Sequence, residues 1–302
     1  MEANLFDNEQ VLAWLRYFME NANLDLARVK ILDITRKNKN LLPTVLSNRS
    51  VLVFTDAGHP QIFYDLWDAG LGSCEIWYNE GSEPAGPIKH DKLKDMINRG
   101  INASAAMLVV NPEARSTYHI GIDNQNFSTG SIHYVGSEIR AVIMNKLHVE
   151  LQDVILTGSA ASIAVEAAMI ANEGNIIAVE YGQRDRDTME ENVTKFGLQN
   201  VTVLSGVTEQ TMQGLPVPRL AFLVASEHVE DEIRCLLKIN PEIQFVFYTL
   251  NFEWLSRLPQ ILKDCGRPQL EILQVQVSKL NSKQAFDIQP APWILSTEPQ
   301  EA

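Results

Sequence analysis

An α/β protein built in two units is predicted by three features of the sequence. Short apolar runs alternate with helical patterns from end to end, as in parallel sheets joined by crossover helices. The 302 residues are 45% hydrophobic and 21% charged, enough to bury one large core or two ordinary ones. Between Asn111 and Val135 the composition turns to Gly, Ser, Asn and Thr in GIDNQNFSTGSIHYVG, the turn chemistry of a linker, so the boundary is placed there. Residues 1–28 then carry an N-terminal helix, 29–135 a small α/β domain and 136–302 a larger one.

The first helix is EQVLAWLRYFMEN (9–21), where Leu12, Leu15, Phe18 and Met19 make a stripe at helical spacing, the mark of a packing face. Strands are expected at VKILDI (29–34), VLVFT (51–55), CEIWY (74–78) and AMLVV (106–110), and helices near 38–47, 60–70 and 89–99. Beyond the linker, helix SEIRAVIMNKL (137–147) leads into seven strands. They are DVILT (153–157), IIAVEY (176–181), VTVLS (201–205), RLAFLVA (219–225), IQFVFYTL (243–250), LEILQVQVS (270–278) and WILST (293–297). Helices fill the gaps between the first five. A polar loop around KLNSKQAFD separates the last two, so a hairpin closes an otherwise parallel sheet.

The charge balance narrows the partners. With 38 acidic residues against 25 lysines and arginines the formal charge is −13, and no basic stripe stands out. Nucleic acid and anionic membrane surfaces are therefore excluded. No apolar run approaches the roughly 18–20 residues of a membrane helix, and MEANLFDNEQ is acidic where a signal peptide is basic. A soluble cytoplasmic protein is expected. Cys74, Cys235 and Cys265 lie far apart with no C-x-x-C pair, and read as reduced, buried thiols.

Few other residues invite chemistry, and no metal site is expected. Asp56 and His59 in TDAGHP have D-x-x-H spacing at a strand end, but a turn followed by a helix starting at Pro60 accounts for them better than a metal or acid–base pair. His119 and His133 read as solvated loop residues. The mixed charges of GQRDRDTMEEN (182–192) read as a solvated helix face, with Gln183 near enough to Glu180 to border a base.

In an open parallel sheet, ligands bind beyond the carboxyl ends of the strands. DVILTGSAASIAVEAA (153–168) supplies the first such end as strand, turn and helix, whose amides suit an anionic group. Strand IIAVEY ends in Glu180, where a carboxylate can take two hydrogen bonds from a ribose diol. Taken alone, Glu180 reads equally well as a surface acid. The next strands end in SGVTE and VASEH, so four strand ends surround one nucleoside. G-x-G-x-x-G is absent, and the terminal hairpin favours the seven-stranded methyltransferase arrangement over the nicotinamide-binding one.

From about residue 137 to 297 the chain resembles the decarboxylating precorrin-6Y C5,15-methyltransferase family of cobalamin biosynthesis, in its C15-methylating domain. The resemblance is carried by SEIRAVIMNKL, SIAVEAAMIANEGNIIAVEY, ENVTKFGLQNVTVLSG, VQVSKLNS and APWILST. It implies a seven-stranded S-adenosylmethionine-dependent methyltransferase (Rossmann-like) domain. Residues 29 to about 135, through VLVFTDAGHP, resemble the second lobe of the companion tetrapyrrole methylase, whose Gly-rich first lobe has no counterpart here.

The resemblance implies S-adenosylmethionine over Thr157, Gly158, Ser159 and Ala161, its ribose on Glu180 and its base beside Tyr181, Gly206 and Val207. It also implies a tetrapyrrole substrate and a homo-oligomer. The chain departs from the family's D-x-G-x-G-x-G, with Thr157, Ser159 and Ala161 at the glycine positions and no acid in the turn. Val207 stands where an Asp usually reads adenine, and ASEHVED replaces a glycine-rich turn with bulky acidic residues facing a carboxylated substrate. Two functions follow, an active methyltransferase of a precorrin-like tetrapyrrole, or a paralogue that kept the fold and serves as a partner or scaffold subunit. No catalytic residue stands out.

Overall fold

The computed structural model describes residues 8–22, 29–35, 40–101, 105–114, 120–131 and 135–297; His119 and His133 lie outside them. The chain divides into two compact units, Met1–Tyr118 with Lys195–Gln199, and His119–Thr194 with Asn200–Ala302.

In the first unit, helix α1 (Asn8–Ala22) buries Trp14, Tyr17 and Phe18 against Leu52, Phe54, Ala106 and Leu108 of the sheet. The expected stripe is corrected: Phe18 is buried, but Leu12 is 54% and Met19 39% exposed. The three aromatics win the inner face because they remove more apolar surface and pack on one another, Trp14 stacking on Phe18 at 5.8 Å and meeting Tyr17 edge-on at 5.6 Å.

The sheet comprises β1 (Val29–Asp33), β2 (Ser50–Thr55), β3 (Glu75–Tyr78), β4 (Lys89–Lys92) and β5 (Ala105–Val110), in the order β1-β2-β5-β3-β4. Only β1 and β2 pair in parallel; β5 runs antiparallel to both its neighbours and β4 antiparallel to β3. The expectation of a parallel first sheet is thus wrong. So is the helix expected at 89–99, which is strand β4 followed by one 3-10 turn, Leu93–Asp95. Cross-strand contacts override its helical spacing. His90 stacks on Trp77 at 4.1 Å and Asp91 accepts from the Tyr78 hydroxyl.

Helices α2 (Leu41–Ser47) and α3 (Ile62–Leu66), the latter extended by a π turn at Trp67–Leu71, match the other two expected helices with later starts. TDAGHP forms a turn in which Asp56 accepts from the Gly58 amide at 2.8 Å and meets His59 at 3.3 Å. The helix then begins at Ile62 rather than Pro60.

The second unit opens with α4 (Ser137–Leu147) and continues through β6 (Val154–Gly158), α5 (Ala161–Ile170), β7 (Asn175–Val179), α6 (Gln183–Lys195) and β8 (Val201–Leu204). Then follow β9 (Leu220–Val224), α7 (Val229–Ile239), β10 (Gln244–Thr249) and α8 (Phe252–Asp264). The last strands are β11 (Leu270–Gln274), β12 (Ser278–Leu280), β13 (Phe286–Ile288) and β14 (Trp293–Thr297). Seven strands form one sheet in the order β11-β14-β10-β9-β6-β7-β8, with β14 antiparallel to both its neighbours. The chain moves outward from β6 through β7 to β8, then returns to β9 on the other side of β6. The switch point therefore lies between β6 and β9, where such sheets open a crevice.

Three details differ from the sequence reading. No helix joins β8 to β9, only turns through 209–214. The run 270–278 breaks after Gln274, and the supposed polar loop holds a separate hairpin, β12–β13. Cys235 and Cys265 are half-buried; Cys74 alone of the three free thiols is fully buried, and burial pushes it up to about 11. Among the described residues no helix is long and apolar enough to cross a membrane, and no group of side chains could hold a metal ion.

Candidate functional site

The residues singled out from sequence gather at the carboxyl ends of β6, β7 and β8. β6 stops at Gly158 because Ser159 turns into the left-handed region, φ 54°, while its amide still donates to the Val179 carbonyl at 2.8 Å. Ala160 then leads into α5, so the whole turn from strand to helix takes two residues. A side chain at Gly158 would meet Leu223 Cδ2 at 2.9 Å and Glu232 Oε1 at 3.4 Å. Gly158 is thus required by packing on the α7 side of the sheet, whereas the left-handed turn itself falls on Ser159.

Strand alternation puts Thr157 and Glu180 on the opposite side, toward α5. Both are buried, and Thr157 Oγ1 and Glu180 Oε2 lack a hydrogen-bond partner. Glu180 follows β7 directly. The Ala160 and Ala161 amides at the start of α5 donate to its carboxylate. Burial nevertheless pushes the Glu180 carboxyl up to about 7, helped by the like charge of Asp185 and opposed by those two amides. A buried carboxyl with one oxygen unanswered is an acceptor in want of a hydroxyl or amine.

On the α7 side lies Tyr181. Its hydroxyl donates to Glu232 Oε1 at 2.8 Å and accepts from the Val207 amide, and its ring stacks on His228 at 3.9 Å. Gly206 lies against the same ring: a side chain there would stand 3.4 Å from Tyr181 Cε1. Burial and then the Glu232 charge push the phenol up, while burial raises the Glu232 carboxyl against the Tyr181 hydrogen bond and His228. Gln183 is exposed on the first turn of α6, bonded to Arg186 and Asp187.

Glu232 and His228 are the residues that sequence reading missed. ASEHVED (225–231) and the Glu232 that follows it read as one bulky acidic stretch. In the structure Glu227 is exposed and Glu230 pairs with Arg234, but Glu232 turns inward. The signal was present in helical spacing, since Val229, Glu232, Ile233 and Leu236 share the buried face of α7.

Residues 132–289, more than half of the chain, match the family described as the precorrin methyltransferase domain. The chain belongs to this family. Its resemblance to the precorrin methyltransferases, drawn from the strand and helix motifs of the second unit, is therefore borne out. The precorrin methyltransferase domain is also 23% identical over 163 residues to a protein of Methanococcus maripaludis described as probable cobalt-precorrin-6B C(15)-methyltransferase (decarboxylating), covering 53% of this chain and 88% of that one.

Solved structures agree on the fold. Precorrin-6Y C5,15-methyltransferase of Geobacter metallireducens superposes with a TM-score of 0.56 at 24% identity, over 60% of this chain and 98% of that one. The C-terminal domain of the Rhodobacter capsulatus enzyme gives 0.51 at 16% identity, over 61% and 100%. The domain is thus of the Rossmann-like methyltransferase class, with β6 as its first strand.

Proposed function

We propose that this precorrin methyltransferase domain transfers a methyl group from S-adenosylmethionine to a precorrin-class tetrapyrrole of cobalamin biosynthesis, at the position its Methanococcus relative is described as methylating. One observation carries the reading beyond family membership. Glu180 keeps a buried, unpartnered carboxylate oxygen at the end of the second strand of the fold, beside the switch point. A paralogue serving only as scaffold would have no reason to retain that unanswered acceptor, which costs stability unless a ligand satisfies it.

The residues present fit the cofactor at its ribose. Glu180 accepts from the diol, and the α5 amides hold the carboxylate in place. Thr157, Gly158, Ser159 and Ala161 form the turn beneath, and Tyr181, Gly206 and Val207 border the base. When bound, S-adenosylmethionine supplies an electrophilic methyl on a good leaving group. For such a transfer the protein's part would be to align the two reactants and exclude water.

We read residues 29–135 as the second lobe of a tetrapyrrole methylase, on the strength of VLVFTDAGHP. The domain acts as a homo-oligomer. Hairpin β12–β13 supports this, since Leu280, Phe286 and Ile288 share one face and are 62%, 69% and 68% exposed, and an isolated two-stranded sheet is marginal in water. Three free cysteines fit a cytoplasmic setting.

Calorimetric titration with S-adenosylhomocysteine tests the reading. Saturable binding that Glu180→Ala abolishes is expected; no heat up to millimolar ligand would overturn it.

A further inference from the structure

Among the described residues three glutamates are buried, and each has a different answer to its charge. Glu166 has a full set of partners: Arg140 at 2.8 Å and the amides of Gly121 and Ile122. Glu180 has amides on one oxygen and nothing on the other. Glu232, only 3% exposed, accepts from one phenol, and among the described residues no lysine or arginine pairs with it. Burying a carboxylate without a cation is unfavourable, and chains keep such groups where a bound charge completes them.

The position of Glu232 says where that charge belongs. Its Oε1 lies 3.4 Å from the point a side chain on Gly158 would reach, so it stands beside the end of β6, on the face opposite Glu180. The turn itself, Thr157 to Ala161, contains no acid. Two buried carboxylates therefore flank one strand end, Glu180 on the α5 side and Glu232 on the α7 side. The Tyr181 hydroxyl fixes the second, and the Val207 amide holds that hydroxyl in turn.

We propose that Glu232 is the cation subsite of this crevice, receiving the α-ammonium group of the methionyl part of S-adenosylmethionine, with Tyr181 as its positioning residue. The assignment rests on the function proposed above. A ribose diol is neutral and suits Glu180; the ammonium carries a full positive charge and three donors, which suits a carboxylate whose only strong partner is a phenol. Helix α7 thus supplies the acid that the β6 turn lacks.

The test compares S-adenosylhomocysteine with 5′-methylthioadenosine, the same thioether nucleoside without the amino-acid part, by calorimetry on the full chain. The wild type is expected to prefer S-adenosylhomocysteine by roughly 10- to 100-fold. Glu232→Gln keeps an acceptor for Tyr181. It should shrink that preference by roughly tenfold while leaving methylthioadenosine within about twofold. An unchanged preference, or equal weakening of both ligands, overturns the assignment while the proposed function stands. Failure of both ligands to bind the wild type overturns the proposed function itself, and this assignment with it. A ligand-side arm needs no variant: replacing the ammonium of S-adenosylhomocysteine by a hydroxyl should weaken wild-type binding by roughly tenfold, and equal affinity would sink the idea.

Discussion

Arg140 Nε donates to Glu166 Oε1 at 2.8 Å with both side chains wholly buried, one on α4 and the other on α5. The same guanidinium donates to Asn124 Oδ1 and the Val135 carbonyl, each at 2.6 Å, and to the Ile122 carbonyl, and it lies over the Phe127 ring. Glu166 takes the Gly121 and Ile122 amides. One ion pair thus ties Gly121, Ile122, Asn124 and Val135 of the linker to the two helices that precede and follow β6.

Removing one partner leaves the other charge buried and unpaired. Glu166→Ala is expected to cost about 3–5 kcal/mol in denaturant unfolding, whereas the double variant Arg140→Met with Glu166→Leu should lose much less. Losses below about 1 kcal/mol for the single variant would show that the pair does not hold the segment.

Glu180 makes stability depend on pH in a defined sense. Its carboxyl is raised from 4.5 to about 7, so the folded chain holds a proton that the unfolded chain releases between those values. The stabilisation is complete below the unfolded value and is lost as pH rises through about 7, spanning at most about 3 kcal/mol. Glu180→Gln should match the wild type near about pH 4 and exceed it at about pH 8, read from denaturation midpoints. A parallel slope in both proteins would contradict the assignment.

Ligand binding should run the other way. Ribose hydroxyls donate best to the ionised carboxylate, so S-adenosylhomocysteine affinity in the wild type should rise as pH climbs through about 7, and this rise should be absent in Glu180→Gln.

Ser159 occupies a left-handed conformation, φ 54°, in which a Cβ is unfavourable by about 1–2 kcal/mol. Ser159→Gly is expected to raise stability by about 0.5–1 kcal/mol after the extra chain entropy of glycine, and Ser159→Val to lower it. Equal melting temperatures for the three proteins would argue that the turn relaxes.

Replacing Leu280, Phe286 and Ile288 by serine removes the apolar face of hairpin β12–β13 without touching the seven-stranded sheet. Sedimentation velocity should find the wild type larger than a monomer and the triple variant monomeric. A wild type that sediments as a monomer would exclude the hairpin as an interface.

Much of this molecule is legible in order along the chain. Short continuous apolar runs such as DVILT and RLAFLVA, alternating with helical stripes, determine the strands of the main sheet in the second unit. SEIRAVIMNKL and IIAVEY, with the other motifs of the second unit, identify the family, and Glu180 is legible because it ends a strand. Those signals are local, and hydrophobic spacing reports them directly.

Contacts between distant segments decided the rest. Strand β4 is a strand because Trp77 and Tyr78 receive His90 and Asp91 across it, which no spacing within 89–99 reveals. The first sheet is mixed because β5 pairs antiparallel between β2 and β3. Glu232 and Glu180 come to opposite sides of one strand end only when α7 packs beside β6. The sequence by itself determined the seven strands of the main sheet in the second unit, most of its helices and the family they compose, but not the β12–β13 hairpin or the helix-free β8–β9 connection. Only the tertiary structure decided which buried acids lack partners, because satisfaction of a buried charge depends on what long-range packing brings within hydrogen-bond reach.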